Sequence, residues 1–88
     1  STVNVTQGDL SSLKRALATN GMSAADLEEL ERAVREDEAK EKGVPFGKRV
    51  TEWMGKALRK AGTETWKIAR EAAGSLLTKA LSGYYGLD

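Results

Sequence analysis

The sequence predicts an all-α protein, a small bundle of about four helices preceded by a short extended segment. Three observations carry that prediction. Leucine and alanine recur at helical spacing through most of the chain. Helix-start and helix-stop residues punctuate it at Asp9, Asn20-Gly21, Ser23 and Gly43-Val44-Pro45. Polar and β-branched residues alternate only over residues 2–7, Thr-Val-Asn-Val-Thr-Gln.

The first helix is expected over residues 10–19, with Asp9 as N-cap and Leu10, Leu13 and Leu17 on one face. Asn20-Gly21 stops it, because both residues tolerate the left-handed conformation of a C-cap. The second runs over 23–39. Ser23 can cap it, Asp26 stands where a capping box wants an acid, and Met22 and Leu27 match a hydrophobic staple. Leu27, Leu30 and Val34 form its stripe, and Glu28/Arg32 and Glu31/Arg35 are i,i+4 pairs in the favourable order. Beyond Val34 the charged run to Lys42 has no apolar stripe. The helix is expected to fray there, with Glu36, Asp37 and Glu38 as a solvated charge run.

A third helix is expected over 46–61. Phe46, Val50, Trp53, Met54, Ala57, Leu58 and Ala61 share one arc, opposite a polar face of Lys48, Arg49, Glu52, Lys56, Arg59 and Lys60. Past Gly62 the apolar arc shifts by roughly a third of a turn. A break at Gly62, with Thr63 capping a fourth helix over 63–84, accounts for the shift. Trp66, Ala69, Ala73, Leu76, Leu77, Ala80 and Tyr84 mark the new arc.

Composition narrows the function. The 88 residues form one domain with a modest core, in which ~60–65% of the unfolded surface is buried. Cysteine and histidine are both absent. Disulfides, thiolate and imidazole metal sites, Ser-His-Asp and Cys-His catalysis are therefore excluded. No constellation of carboxylates, lysines and hydroxyls suggests a catalytic cleft. The chain reads as non-enzymatic, without cofactor, metal or small-molecule substrate. Self-association is the remaining way to supplement a small core. The lack of cysteine fits a cytoplasmic setting, and no apolar run approaches the ~20 residues of a membrane span. Starting at Ser1, the chain reads as one end of a larger protein. Residues 1–42 carry a net charge of −3 and residues 43–88 a net charge of +4, so the halves attract each other, within one chain or between chains.

Three features of the sequence bear on function. Residues 17–27 have the rhythm of a helix–turn–helix, but the second helix would present Asp26, Glu28, Glu29 and Glu31 to phosphates, so nucleic acid is not an expected partner. The basic amphipathic helix 46–61 suits an anionic membrane surface or a calmodulin-like groove, and with the aromatic tail it gives the alternative reading, a membrane-associating effector module peripheral at an inner membrane. The plainer reading packs that helix on the acidic first hairpin. Trp53 and Trp66 fall on apolar arcs and read first as core. No glycine pattern is placed to cradle a phosphate.

The stretch Val5-Thr-Gln-Gly-Asp-Leu-Ser-Ser-Leu, then Leu27-Glu-Glu-Leu and Phe46-Gly-Lys-Arg-Val-Thr-Glu-Trp-Met-Gly-Lys, resembles the C-terminal region of AbiTii-type abortive-infection proteins. So do Trp66-Lys-Ile-Ala, Leu76-Leu77 and the closing Ala80-Leu-Ser-Gly-Tyr-Tyr-Gly-Leu. The likeness runs from about Val5 to Leu87. It implies a bacterial system that limits phage spread, often by disabling the infected cell, with a globular domain and a β-rich connector upstream. Residues 1–8 would be the connector's remnant and 9–88 a helical interaction domain. The resemblance assigns no catalytic residue here. The expected role is a homo-oligomerisation or protein-interaction module, with Trp53, Trp66, Ala69, Ala73, Leu76, Leu77, Tyr84 and Tyr85 as contact residues.

Overall fold

A computed structural model describes residues 3–87; Ser1, Thr2 and Asp88, which belong to the expected connector and domain ends, lie outside the described residues. The protein is all-α, with helices α1 (Leu10–Thr19), α2 (Ala24–Lys40), α3 (Lys48–Lys60) and α4 (Arg70–Tyr85). Each helix packs on two others, in the ring α1–α2–α3–α4, and the α2–α3 contact is the most extensive. Leu13, Leu17, Leu30, Val50, Leu77 and Leu81 are fully buried at its centre.

The local start signals operate as physics requires. The Asp9 carboxylate accepts from Ser12 N at 3.3 Å, and Ser23 Oγ accepts from Asp26 N at 3.2 Å. Met22 and Leu27 are both buried beside that second cap. The capping box does not close as expected, because the Asp26 carboxylate turns instead to Lys60 Nζ of α3, 2.5 Å away. At the end of α1 it is Gly21, with φ +90°, that takes the left-handed turn; Asn20 keeps φ −96°.

α2 does not fray after Val34 but continues to Lys40. Asp37 explains why. Its carboxylate is buried and accepts Arg49 N and Val50 N, each at 2.9 Å. These are donors of the first turn of α3, whose own N-cap, Gly47, has no side chain to offer. One helix therefore caps the next, and the negative charge sits at the positive end of the α3 dipole. The expected solvated run of Glu36, Asp37 and Glu38 is thus a seam: Glu36 pairs with Arg49 at 3.4 Å and Glu38 accepts from the Tyr84 hydroxyl at 3.1 Å.

The fourth helix begins at Arg70, seven residues later than its spacing suggests. Gly62 takes φ +78°, Gly62 N donates to Trp66 O, and an isolated bridge pairs Ala61 with Trp66. Thr63, expected to cap α4, bonds backwards to Lys60 O at 2.6 Å and closes α3 instead. The loop over residues 61–69 carries Trp66 inward, where its indole Nε1 donates to Asn20 O at 3.0 Å. At the other end α4 stops in a Schellman turn: Gly86 adopts φ +72°, Leu87 N donates to Ser82 O and Gly86 N to Gly83 O.

Residues 3–8 form an arm rather than a strand. Gly8 N donates to Tyr84 O at 2.9 Å, and Thr6 N to Ser12 Oγ at 2.9 Å. Val5 approaches Gly83 so closely that a side chain there would sit 3.3 Å from the valine Cβ. The arm thus lies along α4 because α4 has a glycine beneath it.

Candidate interaction surface

The eight expected contact residues do not gather on one face. Trp53, Trp66, Ala73, Leu76, Leu77 and Tyr84 are buried in this chain's own core. Trp53 Nε1 donates to Asp26 O at 2.9 Å, so the two indoles tie down backbone carbonyls on either side of the α1–α2 turn. Tyr85 is half-buried against Phe46, with ring centroids 5.5 Å apart. Ala69 alone is exposed, at the N-cap of α4.

Three of the five basic side chains of α3 are spent on acids of α2. Arg49–Glu36, Lys56–Glu29 and Lys60–Asp26 join α3 to α2, and Lys14 of α1 reaches Glu31 of α2 at 2.6 Å. The attraction between acidic and basic halves is therefore satisfied within the chain. Such partly exposed pairs each contribute little but set which faces meet. The Glu31 carboxyl is held below its usual range, first by the Lys14 hydrogen bond and then by that from Arg35. A groove of about 250 Å³ between α2 and α3 is walled by Glu29, Arg32, Glu36, Arg49, Glu52 and Lys56 over Trp53. Five of these groups are paired there, Arg49 with Glu36 and Glu52, and Lys56 with Glu29.

The tyrosine pair ends the core near the α3 start. Burial, then the nearby Asp37 charge, push the Tyr85 phenol up to about 12, and burial followed by Glu38 raises Tyr84. The Tyr85 hydroxyl is buried without a hydrogen-bond partner among the described residues. Both shifts mean that the fold favours the neutral phenol. For Tyr85 the stabilisation is whole below the unfolded value of 10 and is lost as pH rises from there through about 12; for Tyr84 it is likewise lost above 10. A spectroscopic alkaline titration is expected to show both phenolates appearing later in the native than in the urea-unfolded chain. Urea midpoints should fall over the same window. Coincident titration curves would show that the phenols are solvated in the fold.

The solvent flank of α4 is different. Glu71, Ala72, Ser75, Thr78 and Lys79 are all exposed, and among the described residues neither Glu71 nor Lys79 is in an ion pair. Glu71, Ser75 and Lys79 form one i,i+4 ridge, with an acid at one end, a base at the other and a small residue midway. Beside it runs a groove of about 200 Å³, lined by Val3, Ile68, Ala72 and Leu76 and rimmed by Asn20 and Lys79. Sequence reasoning missed this ridge because it followed the apolar arc. The signal was the opposite side of the same helical wheel, where short residues replace the long charged ones found on α2 and α3.

Among the described residues no group of three or more potential ligands could hold a metal ion, and no helix is long and apolar enough to cross a membrane. Comparison with protein-family models, curated proteins and solved structures finds no match to this chain.

Proposed function

We propose that this chain is a non-catalytic oligomerisation module of a bacterial abortive-infection protein of the AbiTii type, and that its partner is a second copy of itself docked on α4. The phage-defence setting rests on the sequence resemblance alone. The observation that carries self-association is the Glu71–Ser75–Lys79 ridge. In a two-fold antiparallel pair centred on Ser75, Glu71 of each copy faces Lys79 of the other, so the surface is complementary to itself. Ala72 and Ser75 allow the two helix axes to approach to about 8 Å. The groove beside them supplies apolar area from half-buried Val3 and Ile68.

Magnitudes limit what this surface does. A standard interface takes about 800 Å² from each partner, roughly one-seventh of the 5365 Å² exposed by this chain. A flank one helix wide supplies less, so the pair is a weak one in isolation. The charges set orientation more than affinity. Light scattering at micromolar to millimolar concentration tests the arrangement. Glu71→Lys turns two attractions into two repulsions and is expected to weaken the dimer about 10–100-fold. The double change Glu71→Lys with Lys79→Glu restores the attraction and should recover the dimer. Equal masses for all three proteins would refute the arrangement.

A further inference from the structure

We infer that Asn20-Gly21 is a latent site of spontaneous deamidation, held closed by the hydrogen bonds that end α1. An asparagine followed by glycine is chemically exposed, because no side chain on the second residue shields its amide nitrogen. The Gly21 nitrogen loses its proton to water or hydroxide and attacks Asn20 Cγ. The N–Cγ bond forms, the Cγ–Nδ2 bond breaks and ammonia leaves, giving a five-membered succinimide. Water then adds to one of the two ring carbonyls and opens the ring to aspartate or isoaspartate. The net change is amide plus water to carboxylic acid plus ammonia, with no oxidation.

The fold opposes every part of that path. Gly21 N–H donates to Ala18 O at 3.0 Å, so the attacking nitrogen is engaged. Ring closure needs that nitrogen swung to the Cβ side of Asn20, whereas Asn20 sits at φ −96° and ψ 18°, in the bridge region, which points its carbonyl and the Gly21 nitrogen elsewhere. Asn20 Nδ2 donates to Ala16 O at 2.8 Å, which fixes the side chain back along α1. The Asn20 carbonyl is pinned in turn by the Trp66 indole at 3.0 Å. Each of these bonds must break before the ring can form.

The product would not fit the same seat. Aspartate loses the donor to Ala16 O and places a negative charge on the last turn of α1, the negative end of its dipole. Isoaspartate adds a backbone carbon and moves the carbonyl that receives Trp66. Deamidation at Asn20 is thus a lasting chemical measure of how much time the α1 end spends open. It also adds a carboxylate at the rim of the groove beside Lys79.

The whole 88-residue chain is incubated at mildly alkaline pH, with and without enough urea to unfold it. Intact mass and peptide mapping follow the gain of about 1 Da at Asn20. The chain's other asparagine, Asn4, precedes the β-branched Val5 and is the internal control. The unfolded chain should deamidate at Asn20, and the native chain at least about ten-fold more slowly, in proportion to how rarely the segment opens. Trp66→Phe, which keeps a ring but removes the indole donor, should raise the native rate several-fold. If that variant does not fold, wild-type chain in urea below its transition answers the same question, its rate rising with the open fraction. Equal native and unfolded rates, or modification at Asn4 in preference to Asn20, overturn the inference.

Discussion

Replacing Asp37 with alanine is expected to cost about 2–4 kcal/mol, more than any other exchange of a charged residue in this chain. The carboxylate serves two backbone donors of α3, and Val50, one of them, is fully buried. Water cannot replace it there, so removal leaves a desolvated N–H as well as an uncapped helix. Asparagine keeps one acceptor and should lose about half as much. Gly47→Ala probes the same contact from the other side. An alanine Cβ would stand 2.5 Å from Asp37 Cγ and 2.6 Å from its Oδ2, so the carboxylate must leave its donors. Urea unfolding of both single variants and the double variant measures the coupling. The double should cost clearly less than the sum of the singles, because the capping contact is already lost and only the 2.9 Å approach to the Cβ of residue 37 remains to be relieved. Fully additive losses would mean that Asp37 and Gly47 act independently.

Trp66→Ala is the second large effect, about 3–5 kcal/mol. Trp66 is buried although it lies in a loop, and its indole both fills the space beside the α1–α2 turn and satisfies Asn20 O. An 88-residue domain is stable by about 4–13 kcal/mol in all, so this change takes the chain to the edge of folding. Thermal unfolding by circular dichroism reads it directly. Trp66→Phe should lose only about 1–2 kcal/mol, the share of the hydrogen bond and some volume. If alanine were tolerated with no more loss than phenylalanine, the residues 61–69 loop would not be anchored by this side chain.

These two residues also mark where sequence reasoning stopped. Starts and stops with local partners were legible: Asp9 and Ser23 cap residues three positions away, and Gly43 and Pro45 end a helix wherever they fall. Asp37 was not, since its donors lie 12 and 13 residues along the chain and no spacing rule connects an acid to another helix's first turn. Trp66 misled for a related reason. With Ala69 and Ala73 it falls at i, i+3 and i+7, the pattern of a helix stripe, yet a loop residue anchored in the core produces the same pattern. The expected contact face failed to separate from the core because the apolar arc of a helix specifies burial, not the partner that provides it. In this chain the arm, α1 and α3 provide it for α4. The surface left over had to be found by subtraction.

The central claim, that two copies meet antiparallel across α4, has a direct test in the absence of cysteine from the sequence. Ser75→Cys places one thiol on the two-fold axis, where the two copies' Cβ atoms can come within the ~3.5–4.5 Å that a disulfide spans. Under mild oxidation this variant should form a covalent dimer at least about ten-fold faster than Thr51→Cys, a thiol at another exposed position, on α3. Equal cross-linking rates for the two variants would contradict the arrangement and leave α4 an ordinary solvent face.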